Sequence, residues 1–303
     1  MLIHVLNTAL PVFVALFLGV LCRRKDILTR AGVDALKKVA VDITLPAVIF
    51  SAFATVSYSA KTMLVPCLIF LLCNAALALG FLLKNLLRQS GKLMPFLMTG
   101  FEAGMLGYGL FALLYPGRGS ADFALIDLGQ VLFVFTVFKG MLMGKGSAKD
   151  LLHQAFESPV LWAIFVGMFF GISGLYEALQ PSAISGVIDS IASFVAAPTS
   201  CLILITIGYD LRLGSIPWPK VLKYTGIRAL IMCLIYAFTV LINRKLFGGV
   251  INEGALRLML ILPAPYVLPV FADVEEERSD IASTLSVMTL FSLVLFSFLA
   301  ASV

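Results

Sequence analysis

The residues able to do chemistry concentrate in one stretch, Met98-Thr99-Gly100-Phe101-Glu102-Ala103-Gly104-Met105-Leu106-Gly107-Tyr108-Gly109. It carries four glycines and a carboxylate inside an apolar run from Leu93 to Tyr115. An acid at membrane depth is penalised by several kcal/mol and is usually functional. Loosened backbone there needs protein or a water-filled cavity to satisfy its polar groups. The second half of the chain holds a counterpart, Leu262-Pro263-Ala264-Pro265-Tyr266-Val267-Leu268-Pro269, again inside an apolar run. Glycine lets the backbone open, and each proline removes a donor. Two half-helices meeting at such breaks bring unbonded N–H groups and positive dipole ends together, which binds an anion without a full positive charge. The candidate substrate-binding set is therefore Gly100, Phe101, Glu102, Gly104, Pro263, Ala264, Pro265 and Tyr266. Glu102 lies about 15 Å beyond Lys92 at helical rise, near the midplane. It is expected to take up and release a proton, or to hold a cation; a permanently neutral or ion-paired structural tie is the alternative.

Other polar side chains fall inside apolar runs. Arg228 and Arg257 are candidate countercharges for an anionic substrate or for Glu102, with snorkelling to the interface as the alternative. Asp127 is a second candidate coupling residue. Asn74, the only polar side chain between Met63 and Leu83, either hydrogen-bonds substrate or joins helices. Pro46 and Pro198 are candidate hinges. Lys38 and Asp42 are spaced for an i,i+4 salt bridge. Asp189 is expected to be solvated. Asp273 to Asp280 reads as a solvated turn in which Ser279 or Asp280 caps the last helix. Trp218, between two prolines, fits an interfacial anchor. His4 and His153 lie outside the mid-membrane zone. Cys22, Cys67, Cys73, Cys201 and Cys233 read as small buried hydrophobes without disulfide or zinc spacing. No metal site or cofactor is expected, apart from a proton or sodium as coupling ion.

The elements that must position these residues are membrane spans. The chain is 60% hydrophobic and 13% charged, with a mean hydropathy of +1.03, which excludes an ordinary soluble domain. Apolar runs of about 20 residues fall at about 5–22, 36–56, 63–83, 93–115 and 121–141, then at about 159–175, 186–208, 220–242, 255–273 and 280–301. The fold expected is all-α, with ten transmembrane helices. The first run has no basic stretch before it and no small-residue cleavage site after it, so it reads as a retained span. The net charge of +5 sits mostly between runs. About sixteen Lys and Arg fall on one side against about four on the other. That puts both termini outside and the central link in the cytoplasm of a cell-membrane protein, and it argues against a nucleic-acid partner.

An internal repeat gives the same count. Pro11-Val12-Phe13-Val14-Ala15-Leu16-Phe17-Leu18-Gly19 aligns with Pro159-Val160-Leu161-Trp162-Ala163-Ile164-Phe165-Val166-Gly167, five of nine pairs being identical. Pro46 answers Pro198, and Asp122-Phe123-Ala124 answers Asp280-Ile281-Ala282. Repeats of five spans each must face opposite ways. The expected division is 1–143 for the first repeat, 144–158 for the link and 159–303 for the inverted second repeat. Interrupted spans in corresponding halves point to a carrier's binding site.

With these motifs in view, the chain resembles the auxin efflux carrier family, which includes plant PIN-type carriers and bacterial permeases of malate or malonate type. Thr44-Leu45-Pro46-Ala47-Val48-Ile49-Phe50-Ser51 is similar to the family's LPA-x-x-F element. Gly100 to Gly107 resembles its N-x-G-F-x-G element, and Leu262 to Asp273 its proline-rich ninth span. A weaker match covers Pro198 to Gly208 and Leu211. The resemblance implies two inverted five-span repeats with spans 4 and 9 crossing at their breaks. It implies a scaffold of spans 1, 2, 6 and 7, with the rest forming a moving transport bundle. It also implies transport of small organic anions. Where the family usually has Asn, this sequence has Glu102, so an anion-coordinating role is not carried over to that position.

The expected function is a secondary active transporter of a small organic carboxylate by alternating access, proton-coupled through Glu102. Its partners would be the substrate and the lipid bilayer, and a homodimer is the assembly to test. A sodium-coupled carrier akin to bile-acid symporters is the alternative within the class. A membrane sensor or receptor is the alternative outside it, although the central link is short for an output domain. An enzyme is not expected. HExxH and GxSxG are absent, and Tyr209-Asp210 lacks the GxGD partner of intramembrane aspartyl proteases.

Overall fold

The computed structural model describes residues 2–88, 92–116, 119–142, 156–180, 183–211, 216–268 and 275–302. Most of the central link, with His153, lies outside the described residues, as do Pro269 and Asp273; the side chain of His4 does too. Every described element is helical. Among the described residues six helices are long and apolar enough to cross a membrane: Leu6–Arg24, Leu64–Leu86, Ala121–Leu142, Ile184–Asp210, Trp218–Phe247 and Asp280–Ser302. The chain is an all-α membrane protein.

The remaining apolar runs fall short of spanning length as single α-helices, for local reasons. α1 (Leu2–Arg24) is followed by α2 (Arg30–Val39), a π-helical turn at Ala40–Thr44 and α3 (Leu45–Ala54). Pro46 has no N–H to give and crowds the preceding turn, and the wider turn accommodates it. The wider turn also rotates Asp42 away from Lys38, and the expected salt bridge between them does not form. Lys37 and Arg30 instead hold Asp210. After α4 (Leu64–Leu86) come α5 (Met94–Leu97) and α6 (Tyr108–Leu114), separated by the first break. α7 (Ala121–Phe133) and α8 (Lys139–Leu142) flank a second π-helical turn, Val134–Phe138.

α9 (Pro159–Ile172) starts with Pro159 in its first turn, under a Ser158 cap that accepts from Leu161 N–H. α10 (Leu175–Leu179) leads to α11 (Ala183–Ala196) and α12 (Thr199–Asp210), which Pro198 separates. α13 (Trp218–Ile242), α14 (Glu253–Ile261) and α15 (Glu275–Ser302) complete the chain. α15 begins at Glu275, so neither Ser279 nor Asp280 caps it. Asp280 instead pairs with Lys220 at 2.6 Å.

Two packed groups form. In the first, α1 runs along α12, and α3 packs against α9 and α11. Glycines bring these backbones together: a Cβ at Gly19 would lie 2.0 Å from Ile205 O, and one at Gly208 2.1 Å from Leu16 O. Small residues at membrane helix contacts commonly serve this purpose. In the second group α4 packs on α7 and α5, while α13 packs on α14 and α15.

At one end, Arg23 donates to the Tyr209 and Leu211 carbonyls at 2.7 and 2.6 Å. It thereby caps the C-terminus of α12. At the other end, Arg244 bonds Glu253 at 2.9 and 3.0 Å and holds its carboxyl below the usual range. Asn252 joins Asp122 there at 2.7 Å. Asp189 is not simply solvated, since it accepts from the Tyr176 hydroxyl at 2.9 Å. Of the cysteines only Cys73 is buried; Cys67, Cys201 and Cys233 are exposed on outward helix faces. Such faces are expected to meet lipid, where a thiol behaves as a small apolar group.

Candidate functional site

The first break opens where α5 stops after four residues. Gly100 takes φ +66°, a backbone region glycine enters without steric penalty. A Cβ there would also sit 2.7 Å from Pro265 Cγ, so this glycine is where the two breaks touch. The helix resumes as a π-helical turn at Ala103–Gly107 leading into α6. The second break follows α14, where Leu262 turns extended (ψ 151°) ahead of Pro263.

Glu102 binds both sides of this meeting point. Its N–H donates to Pro263 O at 3.0 Å. Its carboxylate accepts from Met105 N–H at 3.0 Å and from Tyr266 N–H at 2.6 Å. The residue is only 7% exposed. One buried carboxylate thus closes the amide ends of the chain beyond both breaks, where helix dipoles and unbonded N–H groups favour negative charge.

Arg228 of α13 does the complementary work on the carbonyl ends. Nη1 donates to Leu97 O and Thr99 O at 2.8 and 3.3 Å, and Nη2 donates to Gly100 O and Leu262 O at 2.6 and 3.1 Å. Its guanidinium also stacks 5.9 Å from the Phe101 ring centroid. The two charges do not pair with each other; each neutralises one end of the interrupted helices. Arg228 is therefore placed as a tie for the breaks, not as a countercharge for Glu102.

A polar chain from α7 supports the first break. Gln130 accepts from Phe101 N–H at 2.8 Å and donates to Asp127 at 3.4 Å, and Asp127 accepts from the Tyr108 hydroxyl at 3.0 Å. Thr99 donates to Cys73 O at 2.6 Å, and the Tyr266 and Thr289 hydroxyls bond at 2.7 Å. Gly100, Phe101, Glu102, Pro263, Pro265, Tyr266, Asp127 and Arg228 thus come together, and Ala264, fully buried, lies between the two prolines.

Asn74 does not join them. Its amide donates to Phe70 O, one turn back on its own helix, at 2.8 Å. Arg257 is half-exposed and lies 4.0 Å from Glu253. Pro46 and Pro198 stand at helix interruptions in the first group. Gln130, Thr99 and Cys73 were not legible as site residues. For Gln130 the one usable signal is its position three residues after Asp127, on the same helical face.

The glycines of the first break differ in what they tolerate. A Cβ at Gly104 meets nothing nearer than Leu45 Cδ2 at 3.5 Å. Gly104→Ala is expected to fold and transport like the parent. Gly100→Ala is expected to lose about 2 kcal/mol or more from its left-handed backbone alone, and its contact with Pro265 adds to the loss. Thermal melts of the two purified variants check this contrast.

Interrupted helices meeting around buried polar groups are a feature of membrane carriers. Residues 4–149 match the family described as "Membrane transport protein". Over 215 residues the chain is 27% identical to an "Uncharacterized transporter" of Methanothermobacter thermautotrophicus, covering 68% of each chain. The first half of the chain is thus similar to this membrane transport protein family, in keeping with the resemblance its motifs carry.

Proposed function

We propose that the protein is a secondary active transporter that moves a small organic carboxylate across the cell membrane by alternating access, with a proton carried through Glu102. The observation that supports this reading is the seat of the Glu102 carboxylate, made of Met105 and Tyr266 N–H groups with no cation paired to it among the described residues. Donors that hold one carboxylate suit another. Protonating Glu102 removes the charge these amides favour, so the side chain withdraws and an incoming anion takes its place. Anion and proton then cross together. When the anion leaves, the carboxylate returns to its seat and the proton departs. Asp127, bonded through Gln130 to the Phe101 amide, steadies the break while this exchange occurs and is the second coupling candidate.

Sodium coupling is the less favoured reading. Unwound carbonyls are the usual sodium ligands of broken transporter helices. Here the carbonyls of Leu97, Thr99, Gly100 and Leu262 already bind Arg228.

The same reading gives the chain ten spans in two inverted repeats, with both termini outside and a homodimer as the assembly to test. It is supported by matched packing. Gly19, at the end of the first repeated motif, packs on α12, while its counterpart Gly167 packs on Phe50 and Phe53 of α3. The helices so joined fit the expected scaffold, and this reading assigns the second packed group to the moving bundle.

The test starts with a thermal-shift screen of organic anions, since a genuine substrate stabilises the protein. Uptake of the best anion into proteoliposomes is then driven by a pH gradient or by a sodium gradient. Accumulation with the pH gradient alone is expected. Accumulation with sodium at uniform pH, and none with the pH gradient, would transfer the assignment to a sodium-coupled carrier.

A further inference from the structure

A cavity of about 420 Å³ lies between α13, α14 and α15, and Glu102 does not line it. On α13 its wall is one helical face running from Thr225 through Arg228, Met232 and Cys233 to Tyr236, about 16 Å long at helical rise. Among the described residues two arginines line it, Arg228 and Arg257, and no carboxylate does. The other walls are largely apolar, and Cys233, Phe291 and Phe298 on its rim are exposed on outward faces. In a spanning helix such faces open to lipid.

Two residues of the α13 wall, Thr225 and Arg228, carry donors that no acceptor among the described residues takes up. Thr225 is 7% exposed, and its buried hydroxyl has no hydrogen-bond partner. A threonine inside a helix commonly bonds a carbonyl four residues back, as Thr239 does to Ile235 O at 2.7 Å on the same helix. Thr225 does not. Three residues on, and so on the same face, Arg228 makes its four carbonyl bonds through Nη1 and Nη2 alone. Its Nε–H, the fifth donor of a guanidinium, takes no part in them. A buried donor left unmet is unfavourable, and more so in apolar surroundings. A site with two donors, the Arg228 charge and no acid among its described lining residues selects an anion, and apolar walls open to lipid select an amphiphile.

We infer that this cavity is a second binding site, for a single-chain amphipathic carboxylate drawn from the bilayer. Its head group lies between Thr225 Oγ1 and Arg228 Nε, and its chain runs along the apolar wall towards Tyr236. Its volume falls in the range of sites for small ligands. The cavity adjoins the second break through Leu262 and Pro263, but the Glu102 carboxylate does not line it and the inference does not rest on the exchange proposed for Glu102.

The test is equilibrium binding of radiolabelled dodecanoate to the purified protein in nanodiscs of neutral phosphatidylcholine, with empty nanodiscs as reference. Saturable binding of one dodecanoate per chain is expected, displaced by unlabelled dodecanoate but not by dodecanol. Thr225→Val should weaken it about tenfold, the loss of one hydrogen bond to a charged group. Ala229→Phe, which fills the cavity, should abolish it, and Glu102→Gln should leave it unchanged. Several results would overturn the assignment: no saturable binding above empty nanodiscs, equal displacement by dodecanol, full affinity in Thr225→Val, or altered affinity in Glu102→Gln. If Thr225→Val does not assemble, full binding by Ala229→Phe overturns it instead.

Discussion

Arg228→Met is expected to abolish transport and to lower the melting temperature by about 10 °C. The side chain it replaces donates to four carbonyls from both interrupted helices. Methionine keeps much of the volume but leaves those oxygens without their donor at a depth where water is scarce. Each buried acceptor left unmet costs roughly 1–3 kcal/mol. Partial relaxation and water entry bring the total to an estimated 4 kcal/mol or so, which in a chain of this size corresponds to about 10 °C. Arg228→Lys separates charge from geometry. An ammonium restores the positive charge but has no planar fork to span two helices. It is expected to recover part of the stability and little of the transport. Melting curves and uptake by the three proteins check both statements.

Glu102→Gln is expected to uncouple transport from protons while preserving exchange. Glutamine resembles the protonated carboxyl in shape and lacks the charge that the Met105 and Tyr266 amides favour. The seat then stays open to a substrate anion at every pH. The parent should bind substrate more weakly as pH rises, because the ionised Glu102 competes for the same donors. The variant should lose that dependence. One coupled proton moving down a gradient of one pH unit supports about tenfold accumulation. The parent should approach this ratio, and the variant should stop at equal concentrations inside and out. Exchange of labelled for unlabelled substrate should continue in both. A variant that still accumulates substrate when driven by pH alone would remove Glu102 from the coupling step.

The breaks were readable because their cause is local. Gly100 and the paired prolines Pro263 and Pro265 interrupt a helix whatever surrounds them, and an acid in an apolar run is conspicuous. Which charge would serve which end of the breaks was not readable. Arg228 comes from a helix more than a hundred residues from Leu97 and Gly100, and only packing reveals that it binds backbone carbonyls and not Glu102. The partner of Asn74 was hidden for a similar reason. A lone amide in an apolar run reads as a ligand or a tie between helices, yet its own Phe70 carbonyl lies within reach and satisfies it. Lys38 and Asp42 misled because spacing arguments assume a regular α-helix, and the π-helical turn before Pro46 removes that regularity. Gln130 stayed hidden because its role depends on where Phe101 N–H points after the chain has left the helix.

The most direct test is to follow protons and substrate together in proteoliposomes that enclose a pH-sensitive dye. With no imposed gradient and the electrical potential clamped, adding substrate outside should acidify the interior in step with uptake, one proton per anion, and Glu102→Gln should show uptake without acidification. Uptake by the parent at an unchanging internal pH, or acidification of equal size in the variant, would contradict the claim that substrate and the Glu102 carboxylate take turns on the same two amides.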